Sequence, residues 1–164
     1  MSHLGRVYGL LLHDTADLHL WPILEELRDD GNVEKIGVSV YEASDIPDYP
    51  IDIIQVPFNP LDWRLLASGD LKRLHNLGTE IHARSIFLQC ALLSCVLPDH
   101  LAPIAQAADK MRGGTDRMEW VLATVLGCPY IDCFMVGVTS IAELLEIVAA
   151  SRKDVWVSHI MTEP

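Results

Sequence analysis

The sequence predicts an α/β protein with about five parallel strands and helices packed outside them. Short apolar runs that end in polar residues recur along the chain, and amphipathic helical segments separate them. Strands covered on both faces need such near-continuous apolar character, which favours a parallel sheet. With 164 residues, 50% of them hydrophobic, the chain is expected to form one domain over 1–164.

The first two strands and the helix between them form the first unit of this pattern. An apolar run begins at Val7 and ends at His13-Asp14, where parallel strands place groups that act on ligands. Taken alone, His13 is better explained as a strand cap that bonds a neighbouring carbonyl. Leu20 to Arg28 carries apolar residues on one helical face, and Ile36 to Tyr41 forms the second strand. The short connections predict a right-handed parallel crossover.

A third strand, Ile51 to Phe58, is broken by Asn59-Pro60 and contains Gln55. A buried amide must be hydrogen-bonded, so Gln55 is either a satisfied core group or a ligand contact. The tail 151–164, with its Val155-Trp156-Val157 patch, is assigned to no element. The elements between Phe58 and this tail are one helix that contains Leu65-Leu66 and Leu71 to Leu77, a strand from Glu80 to Phe87, an insert from Leu88 to Arg117 with a helix near Leu101 to Met111, a helix from Met118 to Leu126, a strand from Ile131 to Val138 and a helix from Ile141 to Ala150.

Charge and hydropathy exclude several classes of partner. The net charge of -11 argues against nucleic acid and against an anionic membrane, because both would repel an acidic surface. No apolar stretch approaches the ~20 residues of a membrane span. The first residues also lack the pattern of a signal peptide. The sequence is therefore expected to belong to a soluble cytoplasmic protein.

Four cysteines form two C-x4-C pairs, Cys90 with Cys95 and Cys128 with Cys133. Structural zinc sites use tighter spacing in Gly-rich or Lys-rich turns, whereas these thiols lie among aliphatic and aromatic residues. Free cysteine in such surroundings behaves as a small hydrophobe. We therefore predict buried reduced thiols and no metal site.

Two architectures fit repeated strand and helix units, namely an open doubly wound sheet and part of a (β/α)8 barrel. A complete barrel takes roughly 250 residues, so the chain is too short for one. The Gly-rich phosphate loops GxGxxG and GxxxxGK[ST], which an open nucleotide-binding sheet often carries, do not occur. These observations leave both architectures open.

Five ordered segments resemble the successive strand ends of the aldo/keto reductases, over roughly positions 4 to 150. This resemblance implies a partial (β/α)8 TIM barrel that corresponds to the fourth through eighth βα units. The segments are Tyr8 to Asp14, Lys35 to Tyr41, Gln55 to Asp62, Ala83 to Gln89 and Val136 to Ser140.

The resemblance also implies a chemistry. Aldo/keto reductases reduce aldehydes and ketones by hydride transfer from NADPH or NADH, using an Asp, a Tyr, a Lys and a His. The first three belong to units that these 164 residues do not match, and His13 matches the His that orients the carbonyl. By the same matching, Ser39 and Gln55 bind the nicotinamide carboxamide. The residues matching the rest of the cofactor site are Arg84 beside the nicotinamide ring, Ser85 at the pyrophosphate, and Gly137, Thr139 and Ser140 at the adenosine phosphate.

Several positions depart from the family pattern. Val40 replaces an Asn that often follows the Ser, and Cys90-Ala91 replaces a Gly-Leu pair, which is expected to crowd its loop. Glu143 stands where Gln or Arg is common, while Glu146 is retained near the adenosine. A carboxylate near the ribose disfavours a 2′-phosphate, so the resemblance implies NADH more than NADPH.

Two functions follow from this matching, and whether the chain is itself an enzyme stays open. In the first, it is a truncated oxidoreductase or one half of a split enzyme, acting on a small carbonyl substrate when an N-terminal half supplies the missing Asp, Tyr and Lys. In the second, it is a non-catalytic nucleotide-binding or assembly protein of aldo/keto reductase descent. Open sheet edges predict in both cases that the chain self-associates, binds a complementary chain, or covers an edge with its Val155-Trp156-Val157 tail.

Overall fold

The computed structural model of the chain describes residues 5–94 and 98–152. Its strands are β1 (Val7–Leu12), β2 (Val33–Ser39), β3 (Ile53–Pro57), β4 (Glu80–Arg84) and β5 (Cys133–Phe134). Its α-helices are α1 (Trp21–Asp29), α2 (Arg64–Ala67), α3 (Asp70–Asn76), α4 (Ala102–Arg112), α5 (Arg117–Leu126) and α6 (Ile141–Ser151). The strands form one sheet in the order β1-β2-β3-β4-β5, which confirms the predicted α/β class.

The chain divides into two compact units, one containing 5–56 and 64–82 and the other containing 57–63, 83–94 and 98–152 of the described residues. In the first unit, β1, β2 and β3 are parallel neighbours, with Leu12 opposite Val38 and Ser39 opposite Gln55. Apolar side chains cover this part of the sheet because the strands are near-continuously apolar. Fully or almost fully buried residues here are Ile36, Val38, Ile53, Ile54, Val56 and Leu71.

Gly37 allows β2 and β3 to lie side by side. A Cβ atom built on Gly37 would lie 2.0 Å from the carbonyl oxygen of Ile53, much closer than any van der Waals contact. Only a residue without a side chain fits a backbone approach of this kind. The register that places Ser39 opposite Gln55 therefore depends on this glycine.

The second unit has its core around α5, where Trp120, Val121, Leu122 and Val125 are buried. The fifth strand, predicted from Ile131 to Val138, is wrong in length, because β5 spans only Cys133–Phe134. Before β5 the chain turns, with the Ile131 N–H donating to the Cys128 carbonyl, and after it the Met135 N–H donates to Ala83. The predicted helix inside the insert is confirmed as α4.

The cysteine prediction holds only in part. Cys128 is buried, and this burial raises the pKa of its thiol, while Cys133 is half-buried. Cys90 is exposed, so the prediction of a buried thiol is wrong there, because the loop after β4 turns this residue toward solvent. Cys95 and the Val155-Trp156-Val157 patch lie outside the described residues. No helix within the described ranges has both the length and the apolar character needed to cross a membrane.

Candidate functional site

Three predicted site residues of the first unit lie at the carboxyl end of neighbouring strands. Ser39 is the last residue of β2, it is only 5% exposed, and its register partner in β3 is Gln55. The Val40 N–H donates to the Gln55 carbonyl at 2.9 Å, which holds the end of β2 against β3. His13 is exposed. Leu12 of β1 is the register partner of Val38 in β2. His13 follows Leu12 and Ser39 follows Val38, so His13 and Ser39 lie at the same level of the sheet.

Arg84 is the last residue of β4, Ser85 follows it, and both belong to the second unit. The Arg84 guanidinium donates to the Ser85 hydroxyl at 3.3 Å, and Ser85 has the left-handed φ of 55°. Asn59, which is fully buried, donates from its amide to the Ser85 carbonyl at 3.2 Å. The same side chain accepts from the Leu61 N–H at 2.9 Å. Asn59 thus fixes the start of this loop.

Sequence reasoning treated Asn59 only as the residue that ends a strand. The signal for more was present in the Asn-Pro-Leu-Asp run, since asparagine side chains commonly bond the backbone two residues on. Its bond to Ser85 joins residues 26 positions apart, and no local pattern predicts such a contact.

The loop after Ser85 contains three successive residues in the left-handed region. Leu88, Gln89 and Cys90 have φ values of 47°, 52° and 68°. Side chains other than glycine are strained in this region, because Cβ approaches the following carbonyl. Cys90 stands where the family pattern has a glycine, so the departure noted in the sequence places a side chain on backbone that favours glycine.

The start of α6 is capped by the chain's own side chains. The Ser140 hydroxyl accepts from the Glu143 N–H at 3.2 Å. The Glu143 carboxylate accepts from the Thr139 N–H at 2.7 Å and from the Thr139 hydroxyl at 2.9 Å. The Thr139 backbone bond, followed by the bond from its hydroxyl, lowers the pKa of Glu143. A carboxylate therefore already occupies this helix terminus, which attracts anions. Gly137, just upstream, has open space around its Cα.

Glu146, also predicted near the adenosine, lies one turn further along α6 and is exposed. It lines a cleft of about 580 Å³ in the second unit, together with Arg112, Arg117 and Glu119. Arg117 is buried and donates to Asp109 at 2.6 Å, so its charge is paired. The lining of the cleft carries three carboxylates, Asp116, Glu119 and Glu146, and two guanidinium groups, Arg112 and Arg117.

A second group of ionisable residues lies at the opposite, amino-terminal end of the first unit's strands. Lys35 of β2 donates to the Tyr8 hydroxyl at 2.9 Å and forms an ion pair with Glu80, the first residue of β4. The Tyr8 hydroxyl donates to the same carboxylate, and the His82 Nε2 lies 2.6 Å from its other oxygen. The sequence did not indicate this cluster, in which Tyr8 and Glu80 are 72 positions apart.

The electrostatics of this cluster favour its ionised form. Burial alone would raise the pKa of Glu80, but the hydrogen bonds from Lys35, Tyr8 and His82 outweigh burial and hold this pKa at about 2. The bonds to Glu80 and Tyr8 raise the pKa of Lys35. The cluster contains a carboxyl, a phenol, an ammonium and an imidazole, like the family's catalytic group. Its phenol nevertheless donates to Glu80, at the strand ends far from His13 and Ser39.

The pH dependence of stability tests this network. Because the pKa of Glu80 falls from its usual 4.5 to about 2 on folding, its contribution is fully present above pH 4.5 and is lost as the pH falls toward 2. We expect Glu80→Gln to reduce the free energy of unfolding by on the order of 1–3 kcal/mol at neutral pH and to flatten the acid limb of the stability curve. Urea titrations at several pH values measure both effects.

Glu34→Gln is the matched control for this measurement. Glu34 is exposed in the same strand as Lys35, and its carboxylate has no hydrogen-bond or ion-pair partner among the described residues. Its substitution should leave the acid limb as in the parent. An equal change in both variants would contradict the network.

Comparison with known proteins places the fold. No protein-family profile matches the sequence, and no curated protein does. The apo form of aldo-keto reductase AKR11C1 from Bacillus halodurans is similar with a TM-score of 0.77 and 19% identity, covering 93% of this chain and 59% of that one. The holo form of the same protein is similar with a TM-score of 0.75 and 19% identity, covering 90% of this chain and 55% of that one. The thermostable aldo-keto reductase Tm1743, bound to the inhibitor epalrestat, is similar with a TM-score of 0.64 and 20% identity, covering 92% of this chain and 56% of that one.

The chain therefore has the fold of part of an aldo-keto reductase barrel, as the resemblance implied. It spans a little over half the length of these structures, between 55% and 59%. At such identities the likeness establishes the fold alone.

Proposed function

We propose that this chain is an oxidoreductase-related protein of aldo/keto reductase type that binds a nicotinamide dinucleotide without turning over carbonyl substrates alone. The observation that carries the proposal is the Ser39–Gln55 register pair at the carboxyl end of β2 and β3, in a sheet with the fold of an aldo-keto reductase. A hydroxyl and a primary amide supply the donors and acceptors that a nicotinamide carboxamide needs. These residues therefore fit the nicotinamide end of the cofactor.

The adenosine end supports a choice between the two cofactors. The Glu143 carboxylate already takes the Thr139 N–H and hydroxyl, and Glu146 adds a second exposed carboxylate one turn away. A 2′-phosphate brought to this helix start would meet negative charge and would have to displace Glu143. The proposal therefore favours NADH over NADPH.

The cofactor, when bound, supplies the hydride, and the chain's residues orient it. His13, exposed at the level of Ser39, would direct a substrate carbonyl by hydrogen bonding. The proton donor Tyr and its Lys would come from a complementary chain, which makes reduction of aldehydes or ketones a property of the completed assembly. The second candidate is a non-catalytic nucleotide-binding protein. It is favoured because Tyr8 and Lys35 lie at the amino-terminal end of the strands, opposite the end that carries His13 and Ser39.

Calorimetry with NADH tests the proposal. We expect the parent to bind NADH with micromolar or weaker affinity and NADPH more weakly still. Gln55→Ala should weaken NADH binding roughly tenfold, because it removes the amide that bonds the carboxamide. Ser140→Ala should also weaken binding, since it removes the α6 cap.

The matched control is Gln106→Ala, which removes an exposed amide from α4 in the second unit. It should bind NADH like the parent. Equal affinity in the parent, Gln55→Ala and Ser140→Ala would show that these residues do not hold the cofactor, and circular dichroism excludes unfolding as the cause of any loss.

A further inference from the structure

The outer edge of β1 is a long, uncharged strand edge without a partner strand in the described residues. β1 is the first strand in the sheet order, and among the described residues only β2 pairs with it. Natural edge strands are protected by charged residues, proline or bulges, but β1 reads Val-Tyr-Gly-Leu-Leu-Leu. Val7 and Tyr8 are 44% and 50% exposed. Such an edge is a template for pairing with another strand.

The hydrogen bonds to β2 determine which backbone groups face outward. The Val7 N–H donates to the Asn32 carbonyl at 3.0 Å, so Val7 faces β2. Because backbone groups alternate along a strand, Gly9 and Leu11 also face β2, whereas Tyr8, Leu10 and Leu12 present their N–H and C=O groups outward. A second strand must therefore bond to these three residues.

A second copy meets this requirement in a specific register. In a two-fold antiparallel pairing, outward residues must face outward residues, which allows Leu10 to pair with Leu10 and Tyr8 with Leu12. All three outward residues of β1 then pair within the strand, and the side chains brought together are those of Leu10, Leu12 and Tyr8, whose hydroxyl donates to Glu80. A shift by two residues along the strand would instead place Arg6 opposite Leu12.

The charges that flank β1 select this register. Pairing Leu10 with Leu10 places Arg6 of one copy opposite Asp14 of the other, and the symmetry produces this ion pair twice. Arg6 and Asp14 are exposed, and Arg6 has no ion-pair partner among the described residues. One oxygen of Asp14 accepts from the Ala16 N–H at 2.8 Å, and the other oxygen remains to face the guanidinium.

We propose that two copies of this chain pair antiparallel along the outer edge of β1, with Leu10 opposite Leu10 and Arg6 opposite Asp14. The pairing does not depend on cofactor binding. It uses the edge at which the resemblance would place the third barrel strand, so pairing with a second copy and completion of the barrel by a complementary chain exclude each other. The chain as a whole is acidic, with a net charge of -11. β1 itself is neutral, so two copies that meet along this strand do not repel each other at the contact.

Sedimentation equilibrium with charge reversal tests the register. The parent should dimerise, and Arg6→Glu should weaken dimerisation roughly tenfold or more, because two attractive pairs become repulsive. Asp14→Lys should do the same. The double variant Arg6→Glu with Asp14→Lys should regain most of the parent's affinity, because both pairs are inverted. Arg152→Glu, which changes the net charge equally at the end of α6, should have little effect.

Amide hydrogen exchange is the second measurement, and it needs no variant. The Tyr8, Leu10 and Leu12 amides should become protected as the protein concentration rises, while protection at Val7 and Gly9 stays constant. A parent that remains monomeric at all attainable concentrations overturns the proposal. A dimer that Arg6→Glu leaves intact, or that the double variant fails to restore, assigns association to another surface and also overturns it.

Discussion

The 164-residue chain alone is expected to reduce aldehydes and ketones at least about a thousandfold more slowly than a complete aldo-keto reductase. The sequence carries no match to the motifs of the family's proton donor Tyr and the Lys beside it, and Tyr41, which follows β2, does not lie in such a motif. Tyr8 and Lys35 are the residues closest in kind, but they bind Glu80 at the amino ends of the strands. A hydroxyl that donates to a carboxylate does not present its proton to a substrate.

NADH absorbance with a generic aldehyde measures this rate, with AKR11C1 from Bacillus halodurans as the positive control in the same buffer. Turnover near the control's rate would contradict the expectation and would mean that another group donates the proton. Tyr8→Phe would then decide whether the amino-terminal cluster is that group. Loss of the activity in this variant would assign it there.

Gly37→Ala is expected to destabilise the fold by about 3 kcal/mol or more, because the added methyl would lie 2.0 Å from the Ile53 carbonyl oxygen. Backbone atoms cannot rotate away as a side chain can, so β2 and β3 must separate. The substitution should also remove the Ser39–Gln55 pairing and with it any NADH binding. Thermal and urea unfolding followed by circular dichroism give the size of the effect.

Two other glycines calibrate this measurement. Gly5→Ala adds its methyl to open space and should leave stability almost unchanged. Gly9→Ala would approach the end of the Ile53 side chain at 2.7 Å, which can move, so its cost should be intermediate. If all three variants unfold alike, the close approach of β2 and β3 does not govern stability.

Local patterns predicted most of the sheet, because buried parallel strands need apolar runs that are visible without an alignment. β1 to β4 and α4 lie where these runs and helical spacings placed them, apart from their ends. β5 is shorter than predicted, because an apolar run does not specify how many of its residues find a partner strand. The turn at Cys128 and the bond from Met135 decide that length through contacts that are not local.

The site was predicted unevenly for the same reason. The resemblance identified residues one at a time, and the register of β2 and β3 brings Ser39 and Gln55 together. The capping of α6 was partly visible, since Ser140 and Glu143 form an S-x-x-E pattern that is typical of helix starts. The cluster of Lys35, Tyr8 and Glu80 joins distant positions, and no local pattern carries that information.

The left-handed backbone of Leu88, Gln89 and Cys90 makes this loop a site of local unfolding. Each such residue costs about 1–2 kcal/mol, and opening the loop recovers this energy without separating the strands. Ile86 and Leu92 on either side are almost fully buried and anchor the segment. We therefore expect this loop to open and close while the rest of the second unit remains folded, so that the environment of the Cys90 thiol varies more than it would in a rigid loop.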